Sequence, residues 1–362
     1  MPRRRVVVAM SGGVDSAVAA ALLARDGWDV IGATLRLATC AGPVGSGGSI
    51  ERDGDASAAA AARTLGISHV VLDAEERFGE QVLRRSWEEV ALGRTPCPCA
   101  WCNRDVKLGL LLPWAKAQGA THVATGHYAR TMSTEGPGLW RARDPERDQS
   151  WFLFALPLEV LGALLLPVGD HTKDEVRGIA RRIGLPHAGR PDSQDACLGE
   201  AGVAFGESLR LRFGAEARPG RVLDRAGRVL GRHDGVHRFT IGQRRGLGLA
   251  LGRPAWVRAL RPDAAEIVLD TEVSWADALE ATNATWQMPD PRGAFRCAVQ
   301  VRSRHRAAEA TVDPLPDGRF RVRFDAPQRA VTPGQPAVCY TGDRVLGGGW
   351  IAWTERDGER IG

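Results

Sequence analysis

Apolar positions in the first two hundred or so residues alternate between short continuous runs and longer helix-spaced stretches. "RRVVVAM" is a run buried on both faces, hence a strand inside a sheet. "DSAVAAALLARDG" has helical spacing and stops at Gly27. "DVIGATLRL" is the next strand, "DASAAAAARTLG" an Ala-rich helix ending at Gly66, and "SHVVLDA" a third strand. "FGEQVLRRSWEEVALG" and "VKLGLLLPWAKAQG" predict helices, and "THVATGHYA" a strand running into a turn. "TKDEVRGIARRIG" is an amphipathic helix with Thr172 placed to cap it. Strands separated by helices predict an α/β unit built on a doubly wound parallel sheet.

The pattern changes near residue 200. Short β-rich runs follow at close spacing: "GRVLDRAGRVLGRHDG", "HRFTIGQRRG", "AEIVLD", "FRCAVQVRS", "AEATVDPLPDGRFRVRFD" and "QPAVCYTGDRVLGGGWI". Asp317-Gly318 and Gly347-Gly348-Gly349 read as turns between them. These runs predict a small β-rich central domain and a C-terminal β-barrel, with domains at 1–200, 201–272 and 273–362. Ala41–Asp55, "AGPVGSGGSIERDGD", has the composition of a flexible loop. No internal repeat is evident.

Composition adds only bounds. The chain has 362 residues, 48 basic and 43 acidic, for a net charge of +5. So mild an excess fits a solvated Arg-rich surface as well as nucleic-acid binding. No apolar run approaches the roughly 18–20 residues that cross a bilayer, so no membrane is expected. The basic start leads straight into glycines, as a first strand does and a signal peptide does not. A cytoplasmic location follows, and the odd cysteine count fits poorly with a secreted disulfide framework.

"VVVAMSGGVDSAVAAALL" joins a strand, a Gly-Gly turn and a helix. Glycines let the backbone approach a ligand, and the helix start supplies N–H donors and a positive dipole end. Such a site suits phosphate. It lacks the Lys-Ser/Thr ending of a Walker A loop. The SGGxDS pattern resembles the PP-loop of ATP pyrophosphatases, which cleave ATP to AMP and pyrophosphate. That resemblance implies that Asp15 holds phosphates or a Mg²⁺. The plainer alternative is a structural glycine turn closed by an Asp/Ser cap.

"TPCPCAWCN", Thr95–Asn103, packs Cys97, Cys99 and Cys102 into six residues. A structural zinc site needs a fourth ligand and normally a second pair, and none is evident. A disulfide is disfavoured in a reducing compartment. Sulfur chemistry remains, with Cys197 of "RPDSQDACLGE" as the candidate partner thiol. Cys297 and Cys339 fall in strand-like runs and read as core residues.

Taken together, "AMSGGVDSAVAAALL", "GRTPCPCAWCNRDVKLG", "ATGHYAR", "DPERDQSWFLFAL", "PDSQDACLG", "HRFTIGQRRGLGL" and "TPGQPAVCYTGDRVLGGGWI" resemble, in order and over essentially the whole chain, the bacterial tRNA-specific 2-thiouridylases of the MnmA family. The resemblance implies a PP-loop ATP pyrophosphatase domain, a central β-rich tRNA-binding domain and a terminal barrel. It implies ATP-dependent replacement of O2 of the wobble uridine in the tRNAs for Lys, Glu and Gln. Sulfur would come as persulfide from a cysteine desulfurase or a sulfur-relay protein. Cys102 and Cys197 would be the catalytic pair. Ala9, Met10, Ser11, Gly12, Gly13, Val14, Asp15 and Ser16 would line ATP, with Leu35 and Gly126 nearby. Cys97, Pro98 and Cys99 would neighbour the target base. His127, Asp148, Gln149, Ser150, His305, Arg306 and Gln335 would touch the tRNA anticodon arm.

This chain departs from the family where many relatives read TPNPD and it reads TPCPC. A possible proton-transfer carboxylate is thereby replaced by Cys99. Cys99, Cys102 and Cys197 would also suit three corners of a [4Fe–4S] cluster. Two routes stay open, persulfide transfer without a resident metal and transfer through such a cluster, with another AMP-forming PP-loop ligase as the alternative of a different kind.

Overall fold

The computed structural model describes residues 4–37, 50–132, 136–186, 203–356 and 358–361. Strands β1 (Arg5–Ala9), β2 (Asp29–Arg36), β3 (Ser68–Asp73), β4 (His122–Ala124) and β7 (Leu164–Leu165) form a parallel sheet in the order β3-β2-β1-β4-β7. Alternation explains why helices cover both faces. Val6 and Val8 of β1 pack with helix α1 (Val14–Arg25), helix α2 (Ile50–Leu65) and helix Lys173–Arg182. Val7 faces the other way, into the layer built by Glu75–Ala91 and Pro98–Ala117. The strand order reverses between β1 and β4, and in such sheets ligands bind at that crevice.

Hairpin β5 (Ala129–Met132) and β6 (Gly138–Arg141) leaves the parallel sheet and joins the barrel. The central domain is a four-stranded sheet of β8 (Gly220–Asp224), β9 (Val229–His233), β10 (Trp256–Arg261) and β11 (Glu266–Asp270), in the order β10-β11-β8-β9. Val222, Val257, Ile267 and Leu269 form its core. The barrel closes with six antiparallel strands among the described residues. They are β12 (Trp275–Trp286), β13 (Phe295–Gln300), β14 (Ala308–Leu315), β15 (Arg319–Arg329), β16 (Pro336–Thr341) and β17 (Arg344–Arg356), and β17 pairs back onto β12.

Three expectations need correction. Residues 50–55, read as loop, are the first turns of α2, because the Ala-rich run continues the helix towards its N-terminus. "HRFTIGQRRG" is a 3₁₀ turn at Val236–Arg238 and then irregular chain, with Gly242, Gly246 and Gly248 all at positive φ. Gly347–Gly349 is no turn but the middle of β17. A Cβ on Gly348 would lie 2.5 Å from the Ala337 carbonyl and 2.9 Å from the Phe154 ring, so close packing demands glycine there. Asp317-Gly318 does make the β14–β15 turn, both residues lying at positive φ. Cys297 and Cys339 are buried in the barrel core as expected.

Candidate active site

β1 ends at Ala9 and delivers Met10–Gly13 to the carboxyl rim of the sheet. Met10 N–H donates to Ala33 O (2.8 Å), and Met10 O accepts from Thr34 Oγ1 (2.7 Å), pinning the exit. Ser16 Oγ closes the loop by accepting from Ser11 N–H (3.2 Å) and donating to Gly13 O (3.1 Å). Gly12 has φ +76°, and a Cβ there would stand 2.5 Å from the Gly54 carbonyl on α2. Gly13 is the N-cap of α1 and brings no capping side chain, which leaves first-turn amides for an anion. Beyond β4, Gly126 presses on this loop: a Cβ on it would be 2.5 Å from Ser16 N. Leu35 lies at the carboxyl end of β2, opposite Leu72. Ala9–Ser16, Leu35 and Gly126 therefore gather at one rim, at the β1/β4 reversal.

Asp15 is not alone there. Lys173 Nζ donates to both of its oxygens, each at 2.8 Å, and Tyr128 OH donates to Oδ1 at 2.9 Å. Lys173 is only 6% exposed. It opens the helix capped by Thr172, whose hydroxyl accepts from Glu175 N–H while Glu175 accepts from Thr172 N–H. A lysine in a helix's first turn opposes the dipole, so it needs the carboxylate it meets. The sequence reading missed Lys173 and Tyr128. The signal was present, a cation placed directly after a strong cap.

The cysteine segment begins a long helix, Pro98–Trp101 continuing through a π-helical stretch, Cys102–Leu108, into Gly109–Ala117. That helix descends to the start of β4, so its first turn stands at the same carboxyl end as the glycine loop. Cys97, Pro98 and Cys102 are buried and Cys99 is half-buried. Burial pushes the Cys97 thiol well above its ordinary range, with Cys99 adding, so Cys97 stays protonated. Asn103 Nδ2 donates to Phe152 O (3.2 Å), while its Oδ1 is buried with no hydrogen-bond partner among the described residues. His127, just past β4, shares a 2.8 Å hydrogen bond with Thr125 Oγ1. Burial lowers its pKa to about 3, and the Lys107 charge from the cysteine helix adds to this, so the ring is neutral at pH 7.

Cys197 and the rest of "PDSQDACLGE" lie outside the described residues, as does Cys40. Of the three cysteines expected to suit a cluster, Cys99 and Cys102 stand three apart on one helix. Among the described residues no third metal-ligating side chain joins them.

Apart from His127, the expected RNA contacts fall in three places. Asp148 accepts from Ala142 N–H (3.0 Å), Ser150 N–H (3.2 Å), Ser150 Oγ (2.9 Å) and Arg141 Nη1 (2.8 Å). Ser150 has no exposed surface, and its hydroxyl also meets Tyr340 OH at 3.2 Å. Gln149 Oε1 accepts from Tyr128 N–H (2.9 Å). Arg141 also donates to Gln300 Oε1 (2.8 Å), and Gln300 Nε2 donates to Arg302 O and Ser303 O. This relay, unseen in the sequence, ties the Asp148 turn to the loop carrying His305 and Arg306. Arg306 is exposed, whereas His305 is half-buried, its Nδ1 without a partner among the described residues. Gln335 turns its amide onto the cysteine segment, donating to Thr95 O (3.0 Å) and Pro96 O (2.9 Å).

Residues 4–200 match the family model described as the tRNA methyl transferase HUP domain. Residues 211–270 match its PRC-barrel domain, and 276–351 the aminomethyltransferase beta-barrel domain. A tRNA-specific 2-thiouridylase MnmA from Paramagnetospirillum magneticum is 45% identical, covering 96% of this chain and 95% of the relative. The chain belongs to the MnmA family. A MnmA from Synechococcus sp. is 42% identical with 99% of each chain covered, and one from Desulforudis audaxviator is 44% identical over 97% and 99%. Similarity to the MnmA family thus runs through all three structural units, not only the glycine loop. Among the described residues no helix is long and apolar enough to cross a membrane.

Proposed function

We propose that this protein is an ATP-dependent tRNA sulfurtransferase that installs 2-thiouridine at the wobble position of the Lys, Glu and Gln tRNAs. The observation that carries it is that a glycine loop with uncapped first-turn amides and the first turn of a cysteine-bearing helix lie at the same end of the parallel sheet. Membership of the MnmA family supports the substrate class. In this reading the domains divide at 1–200, 201–272 and 273–362.

Ala9–Ser16 bind the triphosphate through backbone N–H groups, with Leu35 and Gly126 flanking the nucleotide. Uridine O2 attacks the α-phosphorus and pyrophosphate leaves, which turns a poor leaving group into AMP. The terminal sulfur of a Cys197 persulfide then attacks C2 and AMP departs. Cys102 thiolate attacks the Cys197 sulfur, the thiocarbonyl is released, and a Cys102–Cys197 disulfide remains for a thiol reductant to reopen. Alternatively, Cys102 first cleaves the persulfide and frees sulfide as the nucleophile. Asp15 fits a Mg²⁺ that would neutralise phosphate charge, provided Lys173 yields one of its oxygens. A cysteine desulfurase or sulfur-relay protein supplies the persulfide. In this reading His127 and Arg306 would contact RNA, and Cys97, Pro98 and Cys99 would neighbour the target base.

The test combines iron-stripped protein, Mg²⁺, ATP, unmodified glutamate tRNA, cysteine and a cysteine desulfurase, with digested tRNA analysed by mass spectrometry. 2-Thiouridine with stoichiometric AMP is expected. Product only after cluster reconstitution would replace the persulfide route by the cluster route. AMP-forming turnover on a carboxylate or purine with tRNA untouched would sink the reading.

A further inference from the structure

The stretch "TPCPC" has an unusual backbone problem. Pro98 starts the helix, where its missing N–H costs nothing, but ahead of it Pro96 also lacks an N–H, so the approach through Thr95 and Pro96 has no regular hydrogen-bonded element to hold it. Its fixings come from the C-terminal barrel, more than two hundred residues away in sequence. Thr95 N–H donates to Pro333 O (2.9 Å). One amide group, Gln335 Nε2, donates to both Thr95 O and Pro96 O. Two carbonyl acceptors dictate that the NH₂ end of the side chain points this way. Gly334, at φ +89°, lies so close that a Cβ on it would be 2.7 Å from Thr95 O.

The clamp is itself braced. Gly334 N–H donates to Ile351 O (2.8 Å) and Ile351 N–H donates to Gln335 O (2.9 Å), stitching the loop to β17. The neighbouring Trp350 stacks on Trp101, one residue before Cys102, with ring centroids 6.1 Å apart. The Arg85 guanidinium lies over both rings, at 4.2 and 5.6 Å.

We infer that Gln335 is a positioning residue for sulfur transfer, which holds Thr95–Pro96 and so sets where the Cys99 and Cys102 thiols stand above the sheet rim. This rests on the sulfurtransferase reading for its kinetic consequence. It differs from the expectation that Gln335 touches RNA, because both N–H bonds of its amide are already directed at the protein. Displacing reacting groups by about an ångström costs rate more than affinity.

Gln335→Met keeps the side-chain length and removes the donors. Its thiolation kcat should fall by about tenfold or more, with KM for tRNA and tRNA affinity unchanged. Amide hydrogen exchange across residues 95–102 should quicken. Gly334→Ala, which pushes on the same carbonyl from the loop side, should act in the same direction. Weakened tRNA affinity at unchanged kcat would overturn the inference in favour of an RNA contact. Unchanged rates and unchanged exchange would overturn it as well. Exchange needs no turnover, so it tests the clamp even if the wild-type protein makes no 2-thiouridine.

Discussion

Lys173 and Asp15 form the most consequential ion pair at the rim. Both partners sit where phosphate charge would arrive, and Lys173 is almost fully enclosed. Lys173→Met leaves the Asp15 carboxylate without its cation, facing an incoming polyanion. The expected result is a roughly 100-fold drop in tRNA-dependent AMP formation, read by AMP release, with Tyr128 insufficient to compensate. The three clustered cysteines separate by environment. Cys97 is buried with its thiol held protonated, and behaves as a small apolar side chain. Cys97→Ala should cost about 1 kcal/mol and preserve 2-thiouridine formation. Cys102→Ser should abolish the product while leaving the denaturation midpoint unchanged. Loss of product in Cys97→Ala at unchanged stability would show that the buried thiol reacts.

The glycine loop works because its geometry admits no side chain. At Gly12 an alanine would need φ near +76° and would collide with the Gly54 carbonyl of α2. Gly12→Ala should cost about 1–3 kcal/mol from local strain and abolish ATP binding, measured by thermal unfolding and titration calorimetry. Retained ATP affinity would mean that the loop yields. Two π-helical stretches, Gly79–Arg84 and Cys102–Leu108, pack against each other on the opposite layer. Such wide turns occur often at functional sites, and here one of them starts at Cys102.

The three structural units are not beads on a string. β6 of the first unit pairs with β17 of the barrel, Gln287 Nε2 donates to Phe154 O (2.9 Å), and Trp350 fills a cluster shared with Trp101 and Phe154. Trp350 belongs to the barrel by sequence but to the α/β core by packing. Trp350→Ala should destabilise the protein by about 3–5 kcal/mol. It should also split a single denaturation transition into two, followed by probes in the barrel and in the parallel sheet. One unsplit transition would show that the remaining contacts suffice to couple the units.

The strands, helices and glycine loop of the parallel sheet were legible from sequence wherever local causes act. Apolar period marked β1, α1 and the other elements of the parallel sheet. Asp317-Gly318 marked its hairpin, Thr172 its cap, and the order of motifs the family. Each of these depends on neighbours a few residues away. What misled was local pattern set aside by distant packing, as at Gly347–Gly349, where glycines serve close contact inside a strand. Only the folded chain brought Lys173 to Asp15, 158 residues apart, and Gln335 to Thr95, 240 apart. No period or spacing encodes such pairs, because they arise from how separate elements stack. The residue types at the rim were therefore fixed by sequence, while their partners and the aim of each side chain were decided by tertiary structure.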